Sequence, residues 1–259
     1  MKERESLYDD GNHKNILLED FGHGKMVQSN VHMIVENGQG LILDPGGQKV
    51  FKHLMSEVSE IVGFNGLKYI FLSHQDPDIV ACINGWLMTT KADALAPSIW
   101  DRFIPHFGVD SLLVDRIKPV PDEGTIIKLG DTDLILLPAH FMHSCGNLHI
   151  YDTKSKILYS GDLGASLGQD YMEVTNFEEH IKYMAGFHKR YIPSKRILAT
   201  WVNMIKQLDV EIIAPQHGAY FKGKEMINKF YDWLPTLECG IDIIEKEGFK
   251  IPTEYFKPQ

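Results

Sequence analysis

Short apolar runs of strand length alternate along the chain with longer segments of helical periodicity. Val31 to Val35 and Leu41 to Leu43 flank Glu36-Asn37-Gly38-Gln39-Gly40, which is the pattern of a β-hairpin. From Gln48 to Val62 the apolar residues recur at helical intervals, with charged residues between them. A second helix is predicted from Pro77 to Thr90, because proline suits the first position of a helix.

The second half of the chain repeats this alternation with different lengths. Lys118 to Gly130 predicts short strands and turns, and Gly164 to Pro193 is aromatic-rich but weakly patterned, which indicates a partly helical insertion. The remaining predicted elements are strands at Leu134–Leu137, Leu148–Tyr151, Ile157–Tyr159 and Val210–Ala214, and helices at Pro193–Leu208 and Lys222–Leu234. Strands and helices in this order predict an α/β fold.

Side chains of the kind that bind metals follow four of the predicted strands. The strand Tyr69 to Ser73 leads to His74, Asp76 and Asp78. The other three strands lead to further histidines and an aspartate, namely His140 and His143, Asp162, and His217. Each residue alone is more often a hydrogen-bonded core histidine or a turn aspartate. Their joint placement at the ends of buried strands predicts a metal site, with His140 and His143 as alternative ligands.

Length and charge narrow the range of partners. At 259 residues with 44% hydrophobic side chains, the chain fits one large domain covering residues 1–259. The 35 acidic and 26 basic side chains give a net charge of -9, which argues against nucleic acid or an anionic membrane surface as partner.

The expected compartment is the cytoplasm. The apolar stretches are too short to span a bilayer, and no apolar signal region follows the charged N-terminus. Cys82, Cys145 and Cys239 are odd in number and widely spaced, which fits a reducing compartment and small buried side chains.

Five short segments resemble the metallo-β-lactamase fold, a four-layer αββα sandwich. They are Leu41-Ile42-Leu43-Asp44-Pro45-Gly46, His74-Gln75-Asp76-Pro77-Asp78, His143-Ser144-Cys145-Gly146-Asn147, Ser160-Gly161-Asp162 and Ala214-Pro215-Gln216-His217-Gly218. The resemblance covers roughly residues 15–235, which leaves a C-terminal helical extension. We therefore expect this fold for the whole chain.

Two departures from the hydrolases of that fold point to a particular branch. Their motif has histidine where this chain has Asp76, and another histidine where it has Ile79. An acidic residue at the Asp76 position resembles the flavodiiron branch, which binds two irons and reacts with dioxygen or nitric oxide. Those proteins continue into a flavodoxin domain, whereas this sequence stops at Gln259, so we expect no FMN.

The resemblance implies a ligand set for two metals. His74, Asp76 and His143 would bind the first metal, Asp78 and His217 the second, and Asp162 both. Asp44, Ile79 and His140 would lie just outside the ligands: Asp44 as a hydrogen-bond acceptor for a ligand imidazole, and Ile79 as an apolar neighbour of an open coordination position. Three carboxylates donate negative charge that favours the ferric state of iron. The same charge opposes the acidification of a metal-bound water, which hydrolysis needs. The expected cofactor is two Fe ions, with Zn as the alternative.

A flavodiiron-like metal core without a flavodoxin domain is similar to the oxygen-binding di-iron proteins linked to bacterial chemotaxis. That family implies dioxygen binding, an oxygen and iron sensor function and a chemotaxis signalling partner. Two alternatives stay open: a di-metal hydrolase, and an oxygen or nitric-oxide reductase fed by a separate flavoprotein. Whether the protein is an enzyme is therefore open, and no catalytic residue is assigned.

Two further features allow more than one interpretation. His23 falls near a loop that approaches the metals in flavodiiron proteins, but an exposed loop histidine is an equally good interpretation. The aromatic-rich Phe230-Tyr231-Asp232-Trp233-Leu234 fits either a homodimer interface or packing on the core of the same chain.

Overall fold

The computed structural model describes residues 4–18 and 25–255, and thirteen strands within these ranges form two sheets. The first sheet contains, in this order, β1 (Glu5–Asp9), β2 (His13–Leu18), β3 (Val31–Glu36), β4 (Gln39–Leu43), β5 (Leu67–Phe71), β6 (Asp93–Pro97) and β7 (Ile117–Val120). Its first four strands are antiparallel, and β4 to β7 are parallel.

The second sheet has the order β13-β12-β11-β10-β9-β8. Its strands are β8 (Thr125–Leu129), β9 (Thr132–Pro138), β10 (Leu148–Asp152), β11 (Ile157–Tyr159), β12 (Ile212–Ala214) and β13 (Phe221–Lys222). Only the β11 and β12 pair is parallel among these six strands of the described chain.

Eight α-helices lie in the described part of the chain. They are α1 (Gln48–Ile61), α2 (Gly63–Gly66), α3 (Pro77–Val80), α4 (Ile83–Thr89), α5 (Phe177–Tyr191), α6 (Lys195–Ile205), α7 (Lys224–Trp233) and α8 (Ile241–Glu247). Short 3₁₀ turns occur at Ser98–Trp100, Ile104–Phe107, Val114–Arg116 and Leu234–Thr236. None of the helices in the described ranges is both long and apolar enough to cross a bilayer.

Apolar side chains divide into three layers because successive strand residues point to opposite faces. In β4, Leu41 and Leu43 pack between the two sheets, whereas Ile42 packs under α1 and α4 with Leu54 and Trp86. A third cluster joins the second sheet to α5, α6 and α7. Helices therefore cover the outer face of each sheet, and the predicted four-layer αββα fold is confirmed.

The aromatic-rich end of α7 lies against the chain's own core. Phe230 is 0% exposed and Tyr231 is 4% exposed, and both belong to the cluster beneath α5, α6 and α7. Of the two interpretations of this segment, the packing therefore favours an intramolecular one.

The predicted helix from Pro77 to Thr90 is wrong in its continuity. It is divided into α3 and α4 by a turn at Ala81 and Cys82, where Cys82 leaves the helical region with φ -108° and ψ 16°. Strands β1, β2, β6 and β13 were not predicted. In β2 the positions that face the second sheet include His13 and Asn15, so the apolar alternation that marks a half-buried strand is missing.

These polar residues form a buried network between the sheets. The ring nitrogens of His13 lie 2.7 Å from Glu36 Oε2 and 2.7 Å from Asp152 Oδ2. The side-chain amide of Asn15 donates to Asp152 at 2.8 Å and to the Tyr159 hydroxyl at 2.9 Å. His13 and Asp152 are both 0% exposed, so both depend on these buried partners for their hydrogen bonds.

Charge pairing decides the protonation of this network. Burial acts to lower the pKa of His13, but the hydrogen bonds and charges of Asp152 and Glu36 outweigh it and raise the pKa. Burial acts to raise the pKa of Asp152, but its hydrogen bonds to His13 and Asn15 lower it. The folded state therefore favours an imidazolium between two carboxylates.

We predict that His13→Leu destabilises the protein by about 3–5 kcal/mol, because it removes the buried cation shared by Asp152 and Glu36 and leaves Glu36 only the Lys154 ammonium at 3.4 Å as a cationic partner. A folded-state pKa raised above about 6.5 means that the His13 contribution is complete below pH 6.5 and declines as pH rises through the folded pKa. Urea unfolding of both proteins at several pH values measures the difference. The exposed His106→Leu should change stability by no more than about 0.5 kcal/mol. Equal stability of wild type and His13→Leu would contradict the prediction.

Candidate metal centre

The end of β5 places three of the predicted ligands. The Leu72 N–H donates to the Leu95 carbonyl at 2.9 Å, which continues the sheet one residue beyond the strand. The chain then turns through His74 and Asp76 into α3. The Asp76 carbonyl accepts the N–H groups of Ile79 and Val80 at 2.9 and 3.0 Å, so the first turn of α3 orients Asp78.

The loop between β9 and β10 carries His143. Its ends are joined by the Ala139 N–H, which donates to the Asn147 carbonyl at 3.0 Å, and the Phe141 N–H donates to Ser144 at 2.7 Å. The Leu148 N–H donates to the Ser73 carbonyl at 2.9 Å. This last bond joins the two sheets beside His74, so the loop of one sheet faces the loop of the other.

The remaining two ligands follow the parallel strands β11 and β12. Asp162 comes after Gly161, which has φ +51°, a conformation that favours glycine. The Gln216 N–H donates to the Gly161 carbonyl at 2.7 Å, which holds the turns before Asp162 and His217 together. Parallel strands end at the same edge of a sheet, so both side chains reach the same site.

Four side chains converge at the first position. One ligand atom from each of His74, Asp76, His143 and Asp162 lies within 4.8 Å of the others. Asp76 Oδ2 is 3.6 Å from His74 Nε2 and 3.4 Å from His143 Nε2. Asp162 Oδ2 is 3.8 Å and 3.0 Å from the same two nitrogens.

A second position adjoins the first. His217 Nε2 is 3.4 Å from Asp78 Oδ2 and 3.5 Å from Asp162 Oδ1. The two oxygens of Asp162 therefore face different groups, with Oδ2 toward His74 and His143 and Oδ1 toward His217. A carboxylate in this position can bridge two metal ions. All six residues predicted as ligands are thus brought together in one cluster.

The residues present fit metal ions. His74 Nε2 and Asp162 Oδ1 are buried and have no hydrogen-bond partner, although buried polar atoms are normally paired. Both atoms belong to the cluster of ligand atoms, where a bound cation would satisfy them. Imidazole nitrogens and carboxylate oxygens are ligands that iron and zinc accept.

The electrostatics of the cluster show what a metal has to displace. Burial acts to lower the pKa of His143, but Asp162 and Asp76 raise it to about 9. Burial acts to raise the pKa of Asp76, but the neighbouring imidazoles of His143 and His74 hold it well below its usual range. Without a metal, the carboxylates therefore favour a proton on His143, and a metal must replace it.

The outer nitrogens of two ligand imidazoles are also held. His74 Nδ1 lies 2.9 Å from the Ser73 hydroxyl, and His217 Nδ1 contacts the backbone carbonyl of Gln28. The Gln28 side chain accepts the Gly218 N–H at 2.6 Å, so Gln28 contacts both His217 and the next residue. Such outer contacts fix the ring orientation of metal-binding histidines.

Asp44 acts through Ser73 and not directly on an imidazole as expected. Asp44 Oδ1 accepts the Ser73 N–H at 2.7 Å, and the Ser73 hydroxyl contacts His74. Burial raises the pKa of Asp44 to about 6, and the hydrogen bond from Ser73 opposes that rise. Its backbone has φ +49°, which places the carboxylate beneath the His74 loop.

Two other residues lie elsewhere than expected. Ile79 is 0% exposed and packs in the apolar cluster beneath α1 and α4, so it does not form the apolar wall of the ligand cavity. His140 Nε2 lies 2.8 Å from the Asp122 carbonyl, which turns this ring away from the ligands. His23 lies outside the described residues.

Apolar residues outside the predicted ligand set form much of the cavity wall. The cavity has a volume of about 380 Å³, and its apolar lining includes Val27, Leu167, Phe187 and Tyr191. The rings of Phe187 and Tyr191 stack with their centroids 4.8 Å apart. Their centroids lie 5.8 and 5.4 Å, respectively, from the centroid of the His143 ring. The aromatic-rich segment before Pro193 thus supplies much of this wall. The spacing of four residues between Phe187 and Tyr191, which places both on one face of a helix, was the sequence signal for this wall.

A family model described as "ODP family beta lactamase" matches residues 27–218. The chain belongs to this family. A solved structure described as "Peroxy diiron species of chemotaxis sensor ODP" is 40% identical, with a TM-score of 0.85 over 94% of this chain and 99% of that chain. The apo state of chemotaxis sensor ODP from T. denticola is 38% identical, with a TM-score of 0.84 over 95% and 98% of the two chains.

More distant similarities are found in structure and in sequence. A mutant form of the flavo di-iron protein from Thermotoga maritima is 17% identical, with a TM-score of 0.72 over 90% of this chain and 60% of that chain. Two uncharacterized proteins of Methanocaldococcus jannaschii are each 24% identical over 83% and 79% of this chain. The chain spans about half the length of these two relatives, 56% and 51%.

We predict that metal affinity rises with pH up to about 9, because binding at His143 must displace a proton whose pKa is about 9. Displacement of one proton gives about a tenfold gain in affinity per pH unit below that pKa. Competition with a chelator of known pH dependence, from pH 6 to 9.5, measures the slope. An affinity that does not change with pH over this range would contradict the protonated state of the metal-free site.

Proposed function

We propose that this chain is a non-haem di-iron protein that binds dioxygen and serves as an oxygen and iron sensor for chemotaxis signalling. The observation that carries the proposal is the position of Asp162. Its two carboxylate oxygens face two adjacent groups of ligands. A one-metal site does not need this arrangement.

In this proposal each of the six clustered residues has a defined role. His74, Asp76 and His143 hold the first iron, Asp78 and His217 hold the second, and Asp162 bridges them. The second iron then has fewer protein ligands than the first, which leaves room for an external ligand. Reduced iron supplies the electrons for binding dioxygen, which is the chemistry that the cofactor provides.

The surrounding residues favour a small apolar ligand. Val27, Leu167 and Phe187 line the cavity with apolar surface, which gives a polar substrate few hydrogen-bonding groups outside the metal ligands themselves. The carboxylates Asp76, Asp78 and Asp162 donate negative charge, which favours the ferric state and disfavours acidification of a bound water. This charge supports oxygen chemistry over hydrolysis.

The relatives support the same function. The two ODP structures match nearly the whole of both chains, and one of them is described as a peroxy di-iron species of a chemotaxis sensor. We accordingly propose a single domain over residues 1–259, a cytoplasmic location and a chemotaxis signalling protein as partner. A homodimer also remains part of the proposal, while nucleic acid and anionic membranes are disfavoured by the net charge of -9.

We predict that the anaerobic, reduced, iron-loaded protein develops a near-ultraviolet or visible absorption band on exposure to air, without a flavin band. The carboxylate ligands favour ferric iron, and ferric iron has charge-transfer absorption in this range. Absorbance spectra before and after air, with iron and zinc analysis, test this. A protein that holds only zinc and hydrolyses esters would support the hydrolase alternative, and rapid turnover with an electron donor would support a reductase.

We predict that Asp162→Asn lowers the occupancy of both metals together, because it removes a negative charge from between two cations. The expected loss of affinity is at least about tenfold at each position. Metal analysis and chelator competition measure it, with the exposed Asp131→Asn as the matched control. Loss of one metal alone, or unchanged binding, would count against Asp162 as the bridge.

A further inference from the structure

The two carboxylate oxygens of Asp76 have different partners. Oδ2 faces His74 and His143 inside the ligand cluster, at 3.6 and 3.4 Å from their Nε2 atoms. Oδ1 points to the neighbouring side chain, where it accepts a hydrogen bond from Gln75 Nε2 at 2.9 Å. Only one oxygen of Asp76 is therefore directed at the first metal position.

The other end of the Gln75 amide contacts the opposite loop. Gln75 Oε1 accepts a hydrogen bond from the Ser144 hydroxyl at 2.6 Å. A carboxylate accepts hydrogen bonds and donates none, so the amide nitrogen must face Asp76 and the amide oxygen must face Ser144. Gln75 thus joins the loop that carries Asp76 to the loop that carries His143.

The Ser144 loop is a firm support for this contact. Ser144 is buried, and a Cβ added to Gly146 would lie 2.1 Å from Ile99 Cγ2 and 2.8 Å from Trp100 Nε1. The loop therefore packs tightly against the segment Ser98–Trp100 beside the first sheet. The hydrogen bond from Ser144 therefore ties Gln75 to a tightly packed loop.

Asp76 needs such a restraint more than the buried ligands do. The Asp76 side chain is 33% exposed, whereas those of His74 and Asp162 are 1% and 5% exposed. Burial restricts His74 and Asp162, and the Ser73 hydroxyl also holds His74, whereas a partly exposed carboxylate rotates unless a hydrogen bond stops it. A carboxylate free to rotate can bind a metal through both of its oxygens.

We propose that Gln75 is a positioning residue that keeps Asp76 a one-oxygen ligand of the first metal and couples it to the His143 loop. This inference rests on the proposed two-metal site. By occupying Oδ1, the Gln75 amide preserves a coordination position on the first metal that a two-oxygen carboxylate would fill. Its contact with Ser144 also makes Asp76 and His143 approach the metal as one unit.

The test uses Gln75→Leu, Ser144→Ala and the double variant, loaded separately with zinc and with iron. Chelator competition is expected to show about a tenfold loss of affinity at the first metal for Gln75→Leu. Ser144→Ala should cost less, and the double variant should lose no more than Gln75→Leu alone, because Ser144 acts through Gln75. Ser144→Thr, which keeps the hydroxyl, should restore binding, and the surface variant Gln207→Leu should bind as the wild type does.

A second readout separates positioning from a general loss of stability. Crystal structures of the zinc-loaded proteins should show Asp76 bound through one oxygen in the wild type and through two in Gln75→Leu. Thermal unfolding of the metal-free forms identifies any variant that does not fold, and Gln75→Glu provides a second variant, in which charge repulsion displaces Asp76. Unchanged affinity and one-oxygen binding in Gln75→Leu would overturn the proposal. So would losses in Gln75→Leu and Ser144→Ala that simply add.

The outcome is independent of oxygen chemistry. A wild-type protein that binds two metals but shows no reaction with air would refute the proposed function, while both readouts for Gln75 would still apply. A wild-type protein that binds neither zinc nor iron would overturn the two-metal site and the role of Gln75 together.

Discussion

Buried charge at both ends of the inter-sheet core is the constraint on which this structure depends. Strand β10 runs from Leu148, which is bonded to Ser73 beside the ligands, to Asp152, which pairs with His13. At one end imidazole and carboxylates form a closed pair of hydrogen bonds, and at the other they form an open cluster with unpaired atoms. The first arrangement pairs its charged groups with one another, whereas in the second a bound cation would satisfy the unpaired atoms.

That difference explains how one kind of residue serves two purposes. His13 uses both ring nitrogens on carboxylates, so no lone pair remains for a metal. In the cluster, His74 and His217 use only Nδ1 on neighbouring groups and direct Nε2 toward Asp162. The outer contacts therefore prepare these rings for metal binding.

Much of the fold could be predicted because its signals are local. The hairpin of β3 and β4 and the helix α1 follow from side-chain periodicity over short windows. Strand β2 could not be predicted, because its core-facing His13 and Asn15 are stabilised by Asp152 and Tyr159, whose positions lie 139 and 144 residues away. The break between α3 and α4 was likewise hidden by continuous helical spacing.

The candidate site divides in the same way. The sequence by itself determined that histidines and aspartates follow four strands, because residue type and strand ends are local properties. The resemblance to a known fold already assigned His143, and not His140, to the ligand set. Only the tertiary structure decided that Ile79 lies in the core and that Phe187 and Tyr191 of α5 line the ligand cavity. The position of each of these side chains depends on contacts with segments that are distant in the sequence. The hydrogen bond from Ser144 to Gln75, which joins a loop of one sheet to a loop of the other, is such a contact. Contacts of this kind leave no periodic pattern in the chain.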